Sequence, residues 1–132
     1  MAYVGLRDVD AGERKLLARH NILAFSMYEV DRYGIGKVME LVNEHLKDRP
    51  LHLSYDIDAV DPLHAPATGT VVRGGLNYRE ALFVAEAVAE TGRLGSLDMV
   101  EVNPSLSNTD GSELTIDLAN LVTASAMGSR IL

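Results

Sequence analysis

The chain is predicted to be an α/β sandwich on parallel strands, and three observations point there. Short apolar runs alternate with segments of helical period along the whole length, which is the pattern of strands joined by crossover helices. Gly, Pro, Asn and Asp punctuate the junctions. No repeat, low-complexity tract or linker interrupts the alternation, and 132 residues make one domain. A domain of that size buries roughly two-thirds of the surface of its unfolded chain.

Residues 2–6 form the first expected strand. A helix follows from about Asp10 to Arg19, with Leu16 and Leu17 turned inward, and residues 22–27 give the second strand. From Gly34 to Leu46, the residues Ile35, Val38, Met39, Val42 and Leu46 recur at helical spacing and mark one apolar face. Pro50 breaks that pattern and opens the third strand, which ends at Asp56. After a long loop, Asn77 and Glu80 stand three apart as a helix cap. Their helix runs through Ala81, Leu82, Val84, Ala85 and Val88, and Gly92 closes it. Residues 95–102 form the fourth strand, stopped by Asn103-Pro104. Ser112 is the expected cap of a last helix reaching about Met127.

Composition excludes some roles. A net charge of −7 argues against a nucleic-acid partner, which calls for a basic patch. No run approaches the roughly 18 apolar residues of a membrane span. The opening MAYVGLRDVDAG has neither a basic nor an apolar signal region, so no secretory leader is expected. With no cysteine there is neither a disulfide nor thiolate chemistry, which fits a cytoplasmic setting.

The stretch with most chemistry is residues 54–74, SYDIDAVDPLHAPATGTVVRG. Asp56 and Asp58 sit where an apolar run breaks into a Pro- and Gly-rich loop. Side chains two apart on a strand point the same way, so both carboxylates are expected to face one spot. In a parallel sheet that spot lies at the carboxyl ends of the strands, where open α/β folds place their ligands. Carboxylate oxygens without sulfur suit Mg, Ca or Mn. A strand-end pair of this kind also fits two-metal hydrolysis, with ions about 3.5–4 Å apart. The plainer alternative is turn chemistry, since Asp caps helices and starts turns. Glu101 ends the last strand and reaches the same edge, while Asp98, three positions earlier, reads as structural on the opposite face. Of the four histidines, His20 and His45 fall near helix ends, His52 alternates with apolar strand residues, and only His64 lies close to the aspartates.

These segments resemble the ureohydrolases, the arginase and agmatinase family. Besides SYDIDAVDP, the stretches YVGLRDVDAGE (3–13), FSMYEVDRYGIGKVME (25–40), PATGT (66–70), GGLNYREAL (74–82) and LDMVEVNPSL (97–106) look like arginase in order and spacing. Ala67 favours arginase over agmatinase, which usually has Gly there. Val71 departs from the pattern, since arginases mostly carry Pro after T-G-T. The resemblance implies a three-layer α/β/α sandwich with a mostly parallel sheet, here incomplete, and residues 1–132 would be the C-terminal portion of an arginase-like domain. It also implies manganese-dependent hydrolysis of L-arginine to L-ornithine and urea. Asp56 would bridge two Mn ions, Asp58 would chelate one, and Glu101 would receive the substrate guanidinium through paired bonds. Thr70 would help order the site around the reacting hydroxide, with Asp61 as support. Arg79 and Glu80 would lie at the interface of a homotrimer.

The family's remaining metal ligands, a histidine and a D-x-H-x-D-type segment, have no counterpart before Asp56. The 132 residues alone are therefore expected to be inactive. Agmatinase, another ureohydrolase activity and a non-catalytic truncated subunit stand as alternatives. The D-I-D-A-V run also fits the nucleophile motif of haloacid dehalogenase phosphatases, but those need a downstream lysine and none follows Lys47.

Overall fold

The computed structural model describes residues 1–129. Strand β1 (Ala2–Leu6) pairs in parallel with β2 (Leu23–Ser26), and helix α1 (Ala11–Arg19) makes the crossover. Asp10 caps α1 by accepting from the Gly12 and Glu13 amides at 2.6 and 2.8 Å, while the Glu13 carboxylate accepts from the Asp10 amide at 2.7 Å. This reciprocal capping box satisfies donors that a helix start leaves open. Leu17 of α1 lines a small cavity with Leu6 and Ala24. Leu16, expected inside, is instead 53% exposed. A helix lying flat on a two-stranded edge covers only one narrow stripe.

Residue 27 does not continue the second strand. Ser26 caps a helix, α2 (Met27–Tyr33), with Glu29 closing the box at 2.8 Å from the Ser26 amide. Gly34, at φ +79, turns the chain from α2 into α3 (Ile35–Leu46), a junction favouring a residue without Cβ. Val38, Met39 and Val42 of α3 are buried as their spacing predicts.

Strand β3 (Leu51–Asp56) pairs in parallel with β4 (Leu94–Val100) across helix α4 (Tyr78–Glu90). The Asn77 and Glu80 box caps α4, with bonds of 2.9 and 2.8 Å. Gly92, at φ +64, follows the helix end. Helix α5 (Thr109–Ala126) is capped by Asn108, whose side chain accepts from the Gly111 amide at 2.9 Å. Ser112, expected as that cap, sits inside the first turn and donates to the Pro104 and Asn108 carbonyls at 2.7 and 2.8 Å. The helix starts one turn early because Asn108 offers an equally good capping oxygen.

One continuous core runs through Phe25, Val38, Met39, Tyr55, Ile57, Leu76, Val84 and Leu118. Each such side chain contributes about 1.5–3 kcal/mol on burial. Ala24 and Phe25 point to opposite faces of the strand. Since Phe25 joins the core and Ala24 faces the cavity beside α1, helices cover both faces, and the architecture is an incomplete three-layer α/β/α sandwich with all strands parallel within their pairs.

The four strands form two pairs, β1 with β2 and β3 with β4, among the described residues. Both pairs are parallel, in keeping with an incomplete sheet. Every residue of β1 and of β3 lines a single cleft of about 670 Å³. Neighbouring strand residues face opposite ways, so a cleft touched by all of them runs along the strand edges. Apolar periodicity reports which faces are buried and carries no information about which edges pair.

Candidate functional site

Asp56 is the last residue of β3, and its side chain caps a 3-10 turn over Ile57–Ala59. The Asp58 amide donates to Asp56 Oδ1 at 3.1 Å. Asp58 has thus left the strand, so the two carboxylates do not meet by strand alternation as expected. The turn brings them together: Ile57 and Val60, 0% and 1% exposed, are anchored in the core on either side of Asp58. Asp56 and Asp58 then line the same cleft, with Thr70 and Arg7.

Their electrostatics fit a cation. Burial pushes the Asp58 carboxyl above the usual aspartate range and the adjacent Asp56 charge adds to the rise; Arg7 pulls against both, and Glu101 makes the smallest upward contribution. Both burial and the Asp56 charge disfavour the ionised Asp58 carboxylate, and a divalent ion held there would favour it. The donors are hard oxygens, which suits Mn, Mg or Ca. Their number is the shortfall. Among the described residues, no three His, Cys, Asp or Glu side chains gather into a set that holds a metal alone.

Glu101 stands one residue past β4, exposed, in the left-handed region at φ +64. Such a conformation costs a non-glycine residue on the order of 1 kcal/mol and is held by its surroundings. The Asn103 amide donates to the Ala67 carbonyl at 2.9 Å, and the Ala67 amide donates to Thr115 Oγ1 at 3.0 Å. The first bond ties the end of β4 to the P-A-T-G-T segment, and the second ties that segment to α5. A Cβ on Gly69 would stand 3.6 Å from Glu101 Oε2, so the bare Gly69 backbone faces that carboxylate. Thr70 is exposed and makes no side-chain hydrogen bond among the described residues, while the buried Thr68 hydroxyl also lacks a partner.

Asp61 holds the neck of the long loop. Its carboxylate accepts from the amides of Leu63, Gly74 and Gly75 at 3.0, 2.7 and 3.3 Å. These backbone donors, Leu63 first, hold its pKa below the ordinary 3.8. A lowered carboxylate pKa contributes stability that is present above the unfolded value and lost as pH falls through the folded one. Asp61→Asn is expected to cost about 1 kcal/mol at neutral pH by losing amide partners. It is also expected to flatten the loss of stability below about pH 4. Urea unfolding at pH 7 and pH 3 checks this; equal pH slopes in both proteins would contradict it.

Of the two histidines nearest this site, only His52 lines the cleft, four residues before Asp56 on β3. His64 packs edge-on against Tyr78, with ring centroids 6.2 Å apart, and does not line the cleft. His52 faces Ser96 at 2.8 Å and Asp98 at 3.4 Å across the strand pair, which occupies both residues. Arg79 pairs with Glu86 at 3.0 Å, and Glu80 is the capping partner of Asn77. Sequence reasoning passed over Arg7. It is the first residue beyond β1, and its guanidinium reaches the turn that carries Asp58. A charged residue closing an apolar strand, at the same carboxyl edge as Asp56, is the signal that could have found it.

Known proteins share this parallel α/β layout. The arginase family model matches residues 1–128, and the chain belongs to the arginase family. It is 50% identical over 135 residues to an arginase of Schizosaccharomyces pombe, a match covering 100% of this chain and 42% of that protein. Among solved structures it is similar to the arginase of Bacillus subtilis, with a TM-score of 0.92 at 36% identity over 99% of this chain and 45% of the other. An Entamoeba histolytica arginase solved in complex with L-ornithine superposes with a TM-score of 0.88 at 32% identity, over 97% of this chain and 43% of that one. The chain thus spans about two-fifths of the length of the curated relatives it matches.

Proposed function

We propose that these residues are the C-terminal portion of a manganese-dependent arginase, which hydrolyses L-arginine to L-ornithine and urea once the rest of its domain is present. The observation that carries this reading is the pairing of Asp56 and Asp58, joined by a 3.1 Å backbone bond at the carboxyl end of a parallel strand and open to one cleft. Membership of the arginase family supports it, as does the L-ornithine in the Entamoeba histolytica relative. Asp56 and Asp58 would hold Mn, which when bound lowers the pKa of water toward about 7. Glu101 would orient the substrate by accepting two parallel guanidinium bonds, and Thr70 would order polar groups in the cleft.

Alone, the 132 residues are read as inactive, because two carboxylates leave most of a metal's coordination unfilled. A non-catalytic truncated chain remains the second reading, favoured by the absence of a complete ligand set among the described residues. We place the protein in the cytoplasm, on its lack of cysteine. No helix of the described residues is long and apolar enough to cross a membrane. We further assign Arg79 and Glu80, at the start of α4, to the interface of a homotrimer. Exposed pairs there would contribute about 0–1 kcal/mol each, enough to tune assembly and too little to drive it.

The test is urea release from L-arginine and from agmatine by the longer protein that carries these residues, with Mn supplied. Turnover of arginine in preference to agmatine is expected, and Asp58→Asn is expected to reduce it by more than about a hundredfold. Unchanged turnover in that variant would refute the site assignment.

A further inference from the structure

We propose that Arg7 is a positioning residue for the Asp58 carboxylate: its guanidinium fixes the turn that aims Asp58 by gripping carbonyls on both sides of the loop. The proposal rests on the reading of Asp58 as a cation ligand and adds to it a residue that touches neither cation nor substrate.

The contacts are unusually concentrated. Arg7 Nη2 donates to the carbonyls of Asp58 and Val60 at 2.5 and 3.5 Å, and Nη1 donates to that of Ala59 at 3.3 Å. Nε and Nη2 both donate to the Val72 carbonyl, at 3.0 and 2.7 Å. One side chain therefore spans three successive carbonyls of the turn and a fourth from the far limb of the loop. A short 3-10 turn leaves its carbonyls without helical partners; that of Ala59 also accepts from the Leu76 amide at 2.9 Å, while Arg7 is the side-chain donor to those of Asp58 and Val60. Arg7 forms no ion pair within 4.0 Å among the described residues, and every donor it uses goes to backbone.

Geometry decides why arginine is required. The guanidinium presents five donors in a rigid plane and bonds two limbs at once, whereas the lysine ammonium is a compact point charge on a flexible stem. A lysine would keep the positive charge near Asp58 and lose the bridge between residues 58–60 and Val72. Groups that orient metal ligands without touching the metal typically change its affinity by about 10–100-fold.

The experiment uses the longer protein, freed of metal and titrated with Mn by calorimetry, as wild type and as Arg7→Lys, Arg7→Ala and Asp58→Asn. The expected result is loss of one binding step in Asp58→Asn. The same step should weaken by about 10–100-fold in both Arg7 variants. KM for arginine at saturating Mn should stay within about twofold, since Arg7 adds no substrate contact. Wild-type affinity in Arg7→Lys would overturn the proposal by showing that charge alone suffices. So would a fall in the unfolding midpoint of the metal-free protein with no change in Mn affinity, or failure of both Arg7 variants to fold; either makes Arg7 a scaffold residue. Wild-type binding by Asp58→Asn would locate the error in the ligand reading itself.

Discussion

Alanine at Gly75 is expected to destabilise the fold by about 3 kcal/mol, near the top of the range for overpacking a well-filled site. An added Cβ would stand 2.6 Å from the Ala59 oxygen and 2.7 Å from both the Asp61 nitrogen and the Val60 carbonyl carbon. All three are backbone atoms, so no side-chain rotation relieves the clash. The same backbone makes the Val60 and Leu76 bridge, in which the Asp61 amide donates to Leu76 and the Leu76 amide to Ala59, each at 2.9 Å. Gly74 is the informative comparison. Its φ of +80 strains any other residue, but nothing lies within 4 Å of its added Cβ. Gly74→Ala is therefore expected to cost only about 1 kcal/mol. Urea midpoints of the two variants check the order; equal losses would show that the loop neck yields and that close approach is not what selects glycine at 75.

Glu101→Gln is expected to lower kcat/KM for arginine by on the order of a hundredfold in the longer protein, the equivalent of about 2–3 kcal/mol for a charge-assisted contact. Glutamine keeps one acceptor and one oxygen position but places an amide donor against a guanidinium that has only donors. The effect on fold should be small, because Glu101 is exposed and its backbone is held by the Asn103 and Ala67 bond rather than by its carboxylate. Steady-state kinetics with arginine, beside the thermal midpoint, separate the two. A variant with normal kcat/KM would remove Glu101 from the substrate's path.

Much of the fold was legible in the sequence because its signals are local. The Asn77 and Glu80 pair, the Val38, Met39 and Val42 stripe and the Pro50 break each act within one or two turns. The Ser26 to Glu29 box is equally local and was missed, hidden behind an apolar run that reads as uninterrupted strand. Ser112 shows the opposite failure, since Asn108, four residues earlier, carries an equally good capping oxygen that the choice of Ser112 passed over. The pairing of Asp56 with Asp58 was legible as a neighbourhood but not as a geometry. Strand alternation suggested it, while the structure achieves it through a turn held by buried Ile57 and Val60. Arg7 and Gly75 were harder for a physical reason. Their partners are carbonyls and amides 14 to 65 positions away, and backbone groups leave no mark in a sequence.

Asp56 and Asp58 are proposed to hold a divalent cation at the carboxyl end of β3. Anomalous diffraction at the manganese edge, from crystals of the longer protein grown with Mn, tests it most directly. A peak bonded to carboxylate oxygens of both aspartates is expected. A map with no peak there, and with the two carboxylates turned onto neighbouring amides, would contradict it.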